Sequence, residues 1–220
     1  MSNYRQTYND LRPEEITYNL PQGYLSIRGN NISVDDPKMA FIEALEEFPE
    51  KDTYETLKTG TRIHLDARIG DDVKIGCNCT IGGYGFGYEF QLANDKYRRI
   101  PHLGDVLIRD GVTIHNNVNI DRSVTGTTIV GENCGIDSNV HIAHNVKIGK
   151  NTLIAAGATI GGSAIIGENV FIGCNAFIKQ HVKIGNKAFI GAGSVVLKNV
   201  PDGEIWVGNP ARQIIKQDKN

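Results

Sequence analysis

Four residues spaced 18 apart, His144, Gly162, Gln180 and Lys198, bring together a base, an unshielded backbone, an amide and a cation. An imidazole titrates near neutrality and can take a proton from an attacking nucleophile. A glycine lets a ligand approach its backbone closely, and a backbone N–H is a ready donor to an oxyanion. The chemistry such a set supports is attack on a carbonyl with removal of the nucleophile's proton. Lys198 would meet anionic groups on the carrier of that carbonyl. A lone surface histidine is more often simply solvated, so the reading depends on whether the 18-residue interval is structural. The other histidines are His64, His102, His115, His141 and His181.

The interval comes from a repeat. From Val130 to Pro201 an Ile or Val opens every sixth position, and the residue four further on is small or β-branched, as in Cys134, Val140, Val146, Thr152 and Ala158. A period of six fits neither a helix, near 3.6, nor a simple strand, at 2. Hexapeptide repeats mark a parallel β-helix, in which the opening residue fills the interior and the next three lie on turns or surface. Three hexads make one triangular coil, and coils stack at about 4.8 Å. The four residues then form a column along one edge, with Lys198 about 14 Å above His144. That span is comparable with a pantetheine arm, so the column reads as a groove for coenzyme A, with the thioester at His144 and Gly162.

Hexads run from Ile63 to Thr80, from Ile108 to Thr125, and from Val130 to Pro201, which makes a mainly β chain of about six coils. Between the first two runs, residues 81–106 are predicted to leave the coil as a protruding, ordered loop. This loop is rich in Gly, Tyr and Phe; its Tyr84, Phe86 and Tyr88 are candidates for contacting substrate, as a lid or at a subunit contact. Residues 1–60 read as a small α/β cap or substrate-binding segment. In it, GYLSIRG is strand-like, and Asp36-Pro37 ahead of KMAFIEALEEF predicts an N-capped amphipathic helix. The β-helix is expected over 61–203 and a closing tail over 204–220, with Trp206 and the Ile214–Ile215 pair covering the last coil.

Composition narrows the function. A net charge of −2 over 220 residues gives no general basic field for nucleic acid or an anionic membrane. No apolar run reaches the roughly 18 residues of a membrane span, and MSNYRQTYND lacks an apolar signal segment. A cytoplasmic chain is the expectation. Cys79 and Cys134 fall on the small inward positions and Cys77 and Cys174 on turns; a CxC pair alone is a weak metal signal, so no metal is expected.

The segments GYGFGYEFQLANDKYRRIPHLGDVLI, NIDRSVTGTTIVG, IDSNVHIAHNVKIG and FIKQHVKIG resemble those of hexapeptide-repeat N-acyltransferases acting on nucleotide-linked aminosugars, across roughly residues 34–200. The family includes a lipid A pathway enzyme and shorter sugar acetyltransferases. The resemblance implies a left-handed coil and a homotrimer with sites between subunits. It also implies His144 as general base, Asp137 as its acidic support, Gly162 as oxyanion donor and His181 as a substrate contact. Seven residues place Asp137 on a different face from His144, so their pairing within one chain is not evident. The ending VGNPARQII is similar to the tail of relatives that use acetyl-CoA, which adds Arg212 to Gly162, Gln180 and Lys198 as candidate coenzyme A contacts. The expected reaction is acetyl transfer from acetyl-CoA to the amine of a UDP- or dTDP-linked deoxyaminosugar. Longer-chain or O-acyl transfer, a γ-carbonic-anhydrase-like zinc enzyme and a non-catalytic scaffold are the alternatives.

Overall fold

The computed structural model describes residues 13–19, 24–27, 29–50, 53–92 and 95–214. They form a left-handed parallel β-helix and a smaller α/β unit. The predicted contribution of Ile215 to the tail lies outside the described residues.

The coil unit comprises the described residues from 53–86, 105–123 and 127–214. Strands of two to four residues stack on three faces and pair in parallel from coil to coil, with an antiparallel strand added at one end of each of two faces. On the third face, for example, Ile63, Ile81, Ile120, Ile142, Ile160, Ile178 and Val196 form one continuous column. Six complete coils result, with Arg62–His64 and Ile205–Val207 adding partial rungs at the two ends. The opening Ile and Val residues from Ile108 to Val196 are at most 3% exposed, and the small residues beside them, such as Ala158, Ala164 and Ala176, are buried with them. Burying an Ile side chain is worth about 1.5–3 kcal/mol, so this column is the main stabilising term of the coil.

The turns have an equally local cause. Every fourth residue of a hexad from Asn133 to Gly193 has φ between 53° and 71°, the left-handed region. Asn and Gly tolerate that conformation best, which accounts for Asn133, Asn139, Asn145, Asn151, Asn169 and Asn175 in this column.

Two expectations change. Ile81 and Val106, assigned to the insertion from the sequence, are buried coil residues in the strands Thr80–Gly83 and Asp105–Ile108. The Gly82-Gly83 pair that reads as a loop opening continues the strand. Conversely, Ile69 of the first coil is 38% exposed rather than interior, because Arg68–Ile69 is the edge strand of its face. The insertion leaves and returns in register: Ile69 pairs with Ile108 as though nothing lay between them.

The second unit gathers described residues up to 50 with 87–104 and 124–126. Helix α1 (Pro37–Glu46) forms as predicted, with Asp36 accepting from Lys38 N and Met39 N at 3.1 and 3.0 Å and Pro37 in its first turn. It buries Phe41, Ala44 and Leu45 with Ile16 and Leu25 of a three-stranded antiparallel sheet (Ile16–Asn19, Tyr24–Ile27, Asn30–Ser33). The predicted loop is ordered here as a hairpin of Tyr88–Gln91 and Lys96–Arg99. Ion pairs join it to α1 and the segment after it: Lys38 to Glu89, Arg98 to Glu43 and Glu46, and Arg99 to Glu50 at 2.6 Å.

Candidate active site

Because the third face repeats at 18 residues from Ile142 upward, the residues two positions beyond its buried column rise one per coil: His144, Gly162, Gln180 and Lys198. Backbone bonds tie the first two levels together. Ser163 N donates to His144 O at 2.9 Å and His181 N to Gly162 O at 3.0 Å. The imidazole of His144 lies over Gly162. A Cβ on that glycine would come within 2.8 Å of Nε2 and 2.9 Å of Cε1. Gly162 is therefore required by the ring above all, since its own φ is not left-handed.

The orientation of the ring is fixed from the other side. His144 Nδ1 is 2.9 Å from Asn145 Oδ1, a contact that suits a proton on Nδ1 and would leave Nε2 as the acceptor. Asn145 N in turn donates to Thr128 Oγ1 at 2.9 Å, and Thr128 lies 3.4 Å from Ser123 Oγ; both hydroxyl residues are fully buried. Thr128 belongs to the GTTI pause in the repeat. The irregularity that interrupts the sixes thus supplies the hydroxyl behind the histidine, a role that the period alone did not signal.

The Gly162 N–H shares with the Gln180 and Lys198 N–H groups of this column the lack of a side-chain cap among the described residues. At several corners of the other columns the equivalent N–H is capped by an Asn or Asp side chain from the next coil. Glu168 N donates to Asn186 Oδ1 and Asn186 N to Asp202 Oδ1, both at 2.8 Å. Above Gly162 the equivalent residue is Gln180, and among the described residues no such cap reaches the Gly162 N–H. Ser163, His181 and Lys187 hold φ of 59°, 62° and 57° in a column otherwise filled by Asn and Gly.

The structure does not bring every predicted residue to this corner. Asp137 sits on the second face, with Oδ1 bonded to Ser138 N at 2.7 Å and lying 3.6 Å from His115 Nδ1, not with His144. Gln180, His181 and Lys198 are exposed along the column edge. Arg212 is exposed, with its guanidinium on Ala211 O at 2.9 Å; Ala211 N is held by Val195 O. Tyr84 lies beneath the Arg122 guanidinium, 4.2 Å from its ring centroid, while Phe86 is 88% exposed. Tyr88 opens the hairpin strand in the other unit. Sequence reasoning passed over Asp121, whose Oδ2 lies 3.5 Å from His141 Nε2, because only burial makes the aspartate unusual.

Residues 127–162 and 163–198 match the family model described as bacterial transferase hexapeptide (six repeats). The chain is 43% identical over 148 residues to a UDP-3-O-acylglucosamine N-acyltransferase of Caulobacter sp. (strain K31), and 49% identical over 148 residues to that of Caulobacter vibrioides (strain NA1000 / CB15N). Each match takes in 67% of this chain and 43% of the relative, so the chain spans less than half the length of these curated relatives. Among solved structures, a UDP-N-acetylglucosamine O-acyltransferase from Moraxella catarrhalis superposes with a TM-score of 0.64 at 25% identity. That match covers 70% of this chain and 58% of the other.

Proposed function

We propose that this chain, whose residues 127–198 match the bacterial transferase hexapeptide model, is an N-acetyltransferase. It moves an acetyl group from acetyl-CoA to the amine of a nucleotide-linked deoxyaminosugar. The observation that carries the reading is the His144 imidazole seated in the space of a missing side chain at Gly162, with Nε2 the ring atom nearest that glycine and Nδ1 turned to Asn145 Oδ1.

In this reading the amine nitrogen attacks the thioester carbon, a C–N bond forms, and the proton shed by nitrogen passes to His144 Nε2. The carbonyl oxygen gains negative charge in the transition state, where the Gly162 N–H donates to it. The C–S bond then breaks, and the thiolate leaves with the proton that His144 returns. No covalent intermediate on the protein is required. Lys198, Gln180 and Arg212 line the coenzyme A side, and His181 the sugar side. The names of the Caulobacter relatives support an amine on a UDP-linked glucosamine as the acceptor. They also favour a second reading, transfer of a longer acyl chain, which donors of graded chain length separate. In this reading the subunits assemble as a homotrimer.

The test is turnover of acetyl-CoA with UDP-linked aminosugars, followed by thiol release. His144→Ala is expected to lower kcat at least about 100-fold, the scale of a general-base contribution, with the coil's thermal transition retained. Near wild-type turnover in that variant would sink the assignment.

A further inference from the structure

The reaction above leaves one buried acid unused. Asp121 ends the strand Asn119–Asp121 on the third face and is only 7% exposed. Its Oδ2 lies 3.5 Å from His141 Nε2, an ion-pair distance longer than an ordinary hydrogen bond. On its other side stands Gly83, where a Cβ would be 3.5 Å from Oδ1, so the strand Thr80–Gly83 offers it no charged group there. Arg122, the next residue, turns away: its guanidinium is 3.0 Å from His64 Nε2 and stacks on Tyr84. His141 is thus the titratable group facing Asp121 from the neighbouring strand. His141 and His144 flank Ile142 and Ala143 on the same chain segment, and the charge of His144 reaches His141.

Burial of a carboxyl with so little compensation is costly, and such a group calls for a reason. Burial pushes Asp121 up to about 7. Burial, followed by the charge of His144, lowers the His141 imidazole. Both partners are driven toward their neutral forms, and as neighbours they titrate as a pair.

We propose that Asp121 is a positioning residue for the transfer, acting on His144 through His141. The inference rests on the reading of His144 as the base. When Asp121 is ionised, its negative charge orients the His141 ring and offsets the positive charge that His144 gains on taking the amine proton. When Asp121 is protonated the offset is gone and transfer slows. No proton leaves the pair in the chemical step itself. It sets the charge beside the base.

The experiment follows the His141 imidazole of the full chain by NMR from pH 4 to 9, alongside the pH profile of kcat/KM for acetyl-CoA and a UDP-linked aminosugar. The wild-type His141 resonances are expected to show a second inflection near pH 7 from Asp121, absent in Asp121→Asn. The kcat/KM profile of Asp121→Asn is expected to lose the rise near pH 7, with kcat at pH 8 at least about tenfold lower, the low end of acid–base contributions. A wild-type His141 with no inflection near 7 overturns the proposal, and it needs no variant to fold. So does an Asp121→Asn profile that superimposes on the wild type. Failure of the base reading is distinguishable: His144→Ala would then turn over normally, whereas the His141 titration would still report on Asp121.

Discussion

Replacing Gly162 by Ala tests the contact on which the site is built. The new Cβ would stand 2.8 Å from His144 Nε2 and 2.9 Å from Cε1, where ordinary contact begins near 3.4 Å. The ring must retreat by about half an ångström, against an Nδ1 hydrogen bond to Asn145 that is itself anchored on buried Thr128. A misplacement of about 1 Å costs roughly 100-fold in rate, so a loss of about ten- to a hundredfold in kcat is expected. Stability should change little. The backbone at 162 is not left-handed, and Gly→Ala at a compatible site is favourable by about 0.4–1 kcal/mol through the unfolded chain. That gain offsets the strain of moving a partly exposed ring. The assay pairs steady-state thiol release with thermal unfolding of the same preparation. In a His144→Ala background the Gly162→Ala change should cost nothing further, since both act on one interaction. Wild-type kcat in Gly162→Ala, or an undiminished loss in the double variant, would refute the argument that the glycine serves the imidazole.

The buried Asp121 also makes stability depend on pH. Its folded-state value is raised from 3.8 to about 7, so the stability it contributes is fully present below pH 3.8 and is lost as pH rises through 7. Asp121→Asn should therefore be more stable than the wild type at pH 8, by up to about 4 kcal/mol at 1.36 kcal/mol per pH unit, with the difference closing toward pH 4; urea melts at the two pH values measure it. In the core, Ile160 is fully buried between Ile142 and Ile178. Ile160→Ala should cost about 2–5 kcal/mol, read as a fall in the urea midpoint, and an unchanged midpoint would contradict the interior column as the main stabilising term.

Much of the architecture was legible because a β-helix is built from contacts at one fixed separation. Each coil touches only its neighbours, so adding 18 to His144 leads to the residue that its ring covers. The same arithmetic located the buried Ile column and the inward cysteines Cys79 and Cys134. The helix at Pro37–Glu46 was legible for a different local reason, the capping of its first turn by Asp36. Where the chain departs from the period, the arithmetic fails. Ile69 meets Ile108 and Ile114 meets Ile136, at separations of 39 and 22. His115 therefore faces Asp137, although no interval of 18 connects them.

By itself the sequence determined the coil, its register above Ile142, and the edge on which His144, Gly162, Gln180 and Lys198 stand, because backbone pairing in a repeat is a matter of counting. Only the tertiary structure decided which way the side chains on that edge turn. It swings Asn145 and Thr128 behind the imidazole, leaves Asp137 with His115, and buries Asp121 against His141. Those outcomes depend on rotamers and on which neighbours exclude water, and neither is periodic.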